Sequence, residues 1–368
     1  LGARFSFSPG GAPAGPRLLF RTGTHWIFVG FLLGPNVLEL LTPGALGQLD
    51  PLMALGLGWV GFLFGLQLDR ENLGQFPLKY HALAAGQAVV AFLLFLGLGW
   101  AGLALLGRSG EEEMLLLSAA AATACITTPA GIAMISANFF VRGELRRLLF
   151  FVASVDAVVG VTALQIVYTV FHPGSLVLGT TGVPTAGWSA LALGLGVVYG
   201  IFFLWLTRPR PGPEELVLYL LGISALASGS ALQLQLSPLF VSMVMGAFVA
   251  NLHDDRQRIF AALERWEKPI YLVLLLVAGA FLRFPTLWIL PLAILYAGMR
   301  TVGKVAGATS MAGVISLSFP TPRLLGLGLI PQGGISLAMA ISVLLTYGEL
   351  ELSGFRAVEL FFGIVVVG

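Results

Sequence analysis

The sequence predicts an all-α polytopic membrane protein with about twelve transmembrane segments, and three observations predict it. Of 368 residues, 57% are hydrophobic and only 10% charged, with a mean hydropathy of +0.92, far from the balance of a chain that folds in water. The apolar residues gather into long runs, most of them near the ~20 helical residues that a ~30 Å hydrocarbon core requires. Many of the 47 glycines and several of the 20 prolines fall inside those runs, where membrane helices accept breaks because neighbouring elements satisfy the freed backbone groups.

Charge or Pro/Gly punctuation sets each boundary. The runs are 22–41, 51–68, 79–107 and 114–139, then 145–171, 186–207, 214–236 and 238–252, and finally 268–284, 286–319, 322–347 and 355–368. Connections on alternate sides then orient the stack, because Lys and Arg near membrane ends prefer the cytoplasm. One side holds twelve basic residues: Arg70, Lys79, Arg142, Arg146, Arg147, Arg208, Arg210, Arg256, Arg258, Arg265, Lys268 and Arg323. The other holds three, Arg108, Arg283 and Arg356, beside the acidic Glu111, Glu112, Glu113, Glu349 and Glu351. The imbalance makes the first side cytoplasmic, together with Arg4, Arg17 and Arg21 before the first run.

Several function classes are excluded at this level. A formal charge of +2 with no basic run interleaved with aromatics argues against nucleic-acid binding. A single cysteine, Cys125, leaves no internal disulfide. The histidines, His25, His81, His172 and His253, have no helical spacing for a resident metal, and no cofactor is expected. Gly56-Leu57-Gly58 and Gly194-Leu195-Gly196 lack the strand and the acidic residue of a nucleotide site, so they are helix-packing glycines. No nucleophile elbow, zinc-protease motif or phosphate loop occurs, so an enzyme is not expected. Residues 1–21 lack the pattern of a signal peptide, and the last run is short for a span; the sequence is expected to be a fragment, truncated at both ends.

The connection 253–268 sets Ile259, Phe260, Leu263 and Trp266 on one helical face. It reads either as an amphipathic helix on the membrane surface or as a linker between two halves, 22–171 and 186–368.

Two runs carry breaks. Cys125-Ile126-Thr127-Thr128-Pro129-Ala130-Gly131 interrupts the fourth, and Leu329-Ile330-Pro331-Gln332-Gly333-Gly334-Ile335-Ser336 the eleventh. Proline removes an internal hydrogen bond and disfavours helix just before itself. The two broken spans run in opposite directions, the pattern of inverted repeats in which half-helix ends and unwound carbonyls face a central ion site.

Asp156 stands alone in an uncharged run from Leu148 to Phe171. At ~1.5 Å of rise per residue it lies about 18 Å beyond Glu144, near the middle of the bilayer. Arg300 reaches a comparable depth in the tenth run, with Lys304 one turn further along the same helical face. A buried pair used only for structure stabilises poorly once desolvation is counted, whereas a carboxylate between broken helices holds either a proton or a cation. If the two are mutually exclusive and only the neutralised carboxylate crosses, their movements are coupled in opposite directions. Thr127, Thr128, Ser154 and the carbonyls near Pro129 and Pro331 are hard-oxygen ligand candidates, with helix packing or back-bonding as the competing role for the hydroxyls. Gln332 needs partners inside its broken span, which a structural hydrogen bond equally supplies.

These pieces, in order, resemble the cation/proton antiporter superfamily of the bacterial sodium/proton or potassium/proton exchanger type. The resembling stretches are Val29-Gly30-Phe31-Leu32-Leu33-Gly34-Pro35, Gly61 to Asp69, Thr127-Thr128-Pro129-Ala130, Val155-Asp156-Ala157-Val158, Arg300-Thr301-Val302-Gly303-Lys304 and Gly326 to Gly334. The resemblance implies a multi-pass protein of a bacterial inner membrane, a homodimer of panel and core domains, two crossed broken helices around Pro129, Gly131, Pro331, Gln332 and Gly333, and elevator-type alternating access. It implies that Asp156 binds the ion and the proton, Na+ ahead of K+, while Arg300, with Lys304, compensates helix charges or competes for that aspartate. One departure is Val155, where the family usually has Asn or Asp before the aspartate; a second titrating carboxylate is absent, which favours one-for-one exchange. Alternatives are a cation channel or efflux system without obligatory proton exchange, and an organic-anion transporter of similar fold that binds through Arg300.

Overall fold

A computed structural model describes residues 23 and 25–368, apart from 109, 139–142, 173–176, 179–180, 183, 254, 284–287, 316–323, 349–350 and 353–354. Arg4, Arg17, Arg21, Arg142, Arg323 and Glu349, used above for orientation, lie outside the described residues, as do the side chains of Glu351 and Arg356.

The described chain is helical. Its elements are α1 (His25–Leu33), α2 (Pro43–Gly47), α3 (Asp50–Gly65), α4 (Arg70–Gly74), α5 (Leu78–Leu105), α6 (Glu111–Ala124), α7 (Pro129–Asn138), α8 (Gly143–Val170), α9 (Thr185–Thr207), α10 (Pro213–Gln233), α11 (Pro238–Leu252), α12 (Arg256–Phe281), α13 (Ile289–Val314), a 3-10 turn (Leu325–Leu329), α14 (Gly334–Tyr347) and α15 (Ala357–Val367). Two antiparallel pairings of two residues each, Val177–Leu178 with Thr181–Gly182 and Glu351–Leu352 with Phe355–Arg356, are the strands among the described residues. Five of these helices, α5, α8, α9, α10 and α13, are long and apolar enough to cross a bilayer unaided; α3, α11, α14 and α15 are apolar but shorter.

The elements follow from local sequence. Proline in the first turn starts α3, α10 and α11, where its missing N–H costs nothing and its fixed φ suits a helix. Ser237 caps α11 by accepting from the Phe240 N–H at 3.3 Å. Glu215 reaches back to the Gly212 N–H at 2.8 Å, closing the first turn of α10 and placing its carboxylate at the positive helix end.

Small residues decide the closest packing. A Cβ at Gly61 would stand 2.4 Å from the Leu239 carbonyl, one at Gly65 2.1 Å from that of Met243, and one at Gly246 2.4 Å from that of Phe62. Along this seam α3 and α11 lie backbone on backbone, the small-residue contact of membrane helices. On the other flank α13 packs on α5 in the same way, Gly303 facing the Ala91 carbonyl and Gly307 that of Gln87. That contact sets the register of α5 against the basic residues of α13.

The stretch expected either as an amphipathic surface helix or as a linker between two halves is the first half of α12, which runs on through Pro269 into the span that follows. Ile259 and Leu263 are buried in the protein's own core, the Leu263 carbonyl accepts from Trp59 Nε1 at 3.3 Å, and Trp266 is exposed. The apolar face covers neighbouring helices because α3 and α10 lie beside it. Arg256 ties its start to Asp69 at 3.2 Å and also to Glu71.

Candidate ion-binding site at two helix breaks

Both expected breaks are present. Between α6 and α7 the chain is unwound over Cys125–Thr128, and between the 3-10 turn and α14 over Ile330–Gly333. They touch: the Thr128 N–H donates to the Pro331 carbonyl at 3.0 Å. The approach depends on two glycines, since a Cβ at Gly131 would fall 2.2 Å from Pro331 Cβ and one at Gly333 2.7 Å from Thr128 Oγ1. The C-terminal end of α6 and that of the 3-10 turn bring unpaired carbonyls to the crossing, while α7 and α14 begin there with unpaired N–H groups.

Asp156, on α8, has no exposed surface. Its Oδ2 lies 2.5 Å from Lys304 Nζ, also fully buried, and 2.6 Å from Thr127 Oγ1. Lys304 Nζ donates further to Thr127 Oγ1 at 2.9 Å and to the Cys125 carbonyl. The Thr127 proton is within reach of Asp156 and, at 2.9 Å, of the Leu329 carbonyl. Thr127 therefore joins the carboxylate, the ammonium and the second break in one hydroxyl, because it is unwound and its side chain is not spent on its own helix.

Arg300 has a different occupation. Its guanidinium donates to the carbonyls of Ala124 at 3.1 Å, Ile126 at 2.6 Å, Pro331 at 3.4 Å and Ile330. All four lie in the breaks or, for Ala124, at the helix end beside one, so the guanidinium sits among the carbonyls of converging helix C-termini and makes no hydrogen bond to Asp156. The fork of five donors on a permanent charge suits that task better than an ammonium would. Of the two cations at this depth, the ion-pair partner is Lys304.

The remaining candidates divide. Ser154 Oγ returns to the Phe150 carbonyl at 3.1 Å, the back-bond that a hydroxyl on a regular helix makes, and it is not brought to Asp156. Thr128 contributes its backbone to the crossing. Gln332 Nε2 donates to Tyr296 Oη at 3.2 Å, and Tyr296 Oη lies 3.1 Å from Thr123 Oγ1. Cys125 is buried, its thiol on the Ala122 carbonyl at 3.1 Å. Among the described residues no group of three His, Cys, Asp or Glu side chains is placed to hold a metal.

The sequence reading missed Gln87. From α5 its Nε2 donates to Asp156 Oδ1 and, at 3.3 Å, to the Ala84 carbonyl. A signal existed: Gln87 is the sole polar side chain other than Trp100 between His81 and Arg108. Tyr296 was missed as well, since a tyrosine in an apolar run gives no such contrast.

Comparison with known proteins decides the family. The description "Sodium/hydrogen exchanger, transmembrane" matches residues 17–367. The chain belongs to the sodium/hydrogen exchanger family. Exchangers of this family are transporters, and the chain is accordingly an integral, multi-pass membrane protein of the cation/proton antiporter superfamily. Its fold is similar to that of the sodium proton antiporter MjNhaP1 from Methanocaldococcus jannaschii, solved at pH 8, with a TM-score of 0.66 over 96% of this chain and 88% of that one at 14% identity. No curated protein matches by sequence.

Proposed function

We propose that this exchanger moves one monovalent cation, Na+ ahead of K+, against one proton, with Asp156 as the shared site. The observation that carries the proposal is the single buried carboxylate between two touching helix breaks, held by the Lys304 ammonium at 2.5 Å and the Thr127 hydroxyl at 2.6 Å. Sodium is placed first because the family is that of sodium/hydrogen exchangers and the structurally similar MjNhaP1 is a sodium proton antiporter.

Three monocations compete for Asp156 in this reading: a proton, the transported cation and the Lys304 ammonium. A cation arriving beside the ammonium meets a like charge at roughly 4 Å, worth about 4 kcal/mol at an effective dielectric constant of 20. Either Lys304 withdraws from Oδ2 or the pair gives up a proton. When one proton leaves as one cation binds, the loaded forms carry equal charge, so the exchange is electroneutral. Val155 supports this stoichiometry, because it supplies no second titrating group beside Asp156. Lys304 has the further role of keeping the carboxylate neutralised between deliveries, since a bare buried anion is costly. Arg300 is committed to four carbonyls, which disfavours the organic-anion alternative. The halves 22–171 and 186–368, read as inverted repeats, and a homodimeric assembly complete the proposal.

The test is exchange in proteoliposomes loaded with a pH-sensitive dye under imposed Na+ or K+ gradients. The wild type is expected to give cation-dependent proton flux insensitive to a clamped membrane potential, and Asp156→Asn to give none. Equal flux from the two proteins would reject the role of Asp156, and conductance without proton counterflow would favour a channel.

A further inference from the structure

We infer that Gln87 is a ligand of the transported cation and the acceptor for the proton that alternates with it, a role it performs by turning its amide over. The inference rests on Asp156 being the exchange site. Gln87 has no exposed surface. Both of its N–H groups are spent, one on Asp156 Oδ1 and one on the Ala84 carbonyl, while its Oε1 has no partner among the described residues. A buried acceptor left without a donor is costly, and here the orphan oxygen belongs to the same amide that touches the proposed exchange carboxylate.

Chemistry distinguishes the two faces of that amide. Toward an ionised carboxylate the N–H face is favourable and the oxygen face repulsive. With a proton on Asp156 or a cation beside Oδ1 the preference reverses, because O–H needs an acceptor and a hard cation needs a neutral oxygen next to the anionic one. A rotation of the terminal amide exchanges the faces without moving the helix. The position is fixed from behind: Gly307 lets the Gln87 backbone carbonyl approach α13 within reach of a Cβ. Lys304 and Gln87 thus approach the two oxygens of Asp156 from different helices, Lys304 on Oδ2 and Gln87 on Oδ1. A cation that displaces neither α8 nor α13 gains its extra oxygen from Gln87.

The experiment is the proteoliposome assay on Gln87→Met, which keeps shape and removes both amide faces, and on Gln87→Glu, which keeps oxygens and removes the donors. Gln87→Met is expected to raise the cation KM at least tenfold, unequally for Li+, Na+ and K+, with much of the saturated rate retained. Gln87→Glu is expected to shift the pH profile to higher pH, because two adjacent carboxylates hold a proton more tightly than one. A purely packing role would instead lower the rate of every cation by one common factor with KM ratios and pH profile unchanged, and that result overturns the inference. If Gln87→Met fails to fold, Gln87→Glu decides alone: an unshifted pH profile overturns the inference. Asp156→Asn, run alongside, separates the two hypotheses: residual exchange there rejects the Asp156 site itself, whereas an inactive Asp156→Asn with unaltered Gln87 variants rejects only the role of Gln87.

Discussion

Lys304 Nζ and Asp156 Oδ2 are 2.5 Å apart, and neither side chain has exposed surface. Breaking a buried pair by deleting one partner leaves an uncompensated charge, typically at a cost of 3–5 kcal/mol. Lys304→Gln is therefore expected to lower thermal stability in cation-free buffer, and Na+ to restore more stability to the variant than to the wild type, because the cation takes the vacated place. Thermal unfolding in detergent with and without Na+ measures this; an equal Na+ effect on both proteins would contradict it.

Arg300→Ala is expected to act on folding before it acts on pH dependence. It strands the carbonyls of Ala124, Ile126 and Ile330, each worth roughly 1–3 kcal/mol when buried without a donor. The yield of folded protein and the unfolding temperature should fall together, with Arg300→Lys intermediate because an ammonium cannot span all of the acceptors. A shifted pH optimum with intact stability would instead place Arg300 in direct competition for Asp156.

Gly131→Ala tests the crossing. The new methyl would fall 2.2 Å from Pro331 Cβ, on a rigid ring rather than a flexible side chain. Overpacking of this kind costs typically 1–3 kcal/mol, and here it also separates the Thr128 N–H from the Pro331 carbonyl. Exchange activity is expected to drop more than stability does, whereas Gly97→Ala on α5, which meets nothing within 4 Å, should leave both unchanged.

Glu267 gives a pH dependence away from the exchange site. It precedes the apolar stretch of α12; burial pushes its carboxyl up from 4.5 to about 7, and its Oε2 has no partner among the described residues. The fold favours the protonated form, so this contribution to stability is complete below pH 4.5 and is lost as pH rises through about 7. At 1.36 kcal/mol per unit, the loss is on the order of 3 kcal/mol. Glu267→Gln should remove the slope and be the more stable protein at pH 8, as unfolding temperature against pH will show.

How much of this was legible beforehand depends on how each residue bonds. Pro129 and Pro331 announce breaks because proline has no N–H, and a lone Asp156 announces a site because burying it alone is expensive. Those arguments need no partner. The division of labour between Arg300 and Lys304 does need one: depth along a helix is nearly the same for both, and the side facing the unwound carbonyls depends on how α13 packs against α5 and the 3-10 turn. Thr127 and Ser154 were equivalent hydroxyls in the sequence; the unwound backbone frees the first, and the regular helix of α8 engages the second. The first half of α12 was read as surface helix or linker without its packing, because an apolar helical face looks the same in sequence whether lipid or protein covers it.

Where α3 meets α11, carbonyl faces glycine with no side chain between. Such a joint has no rotamers to shuffle, so it holds or parts but does not creep, and it gives this flank of the molecule the character of a fixed chassis. On the proposed mechanism, a stroke that carries Asp156 from one side to the other is hinged elsewhere.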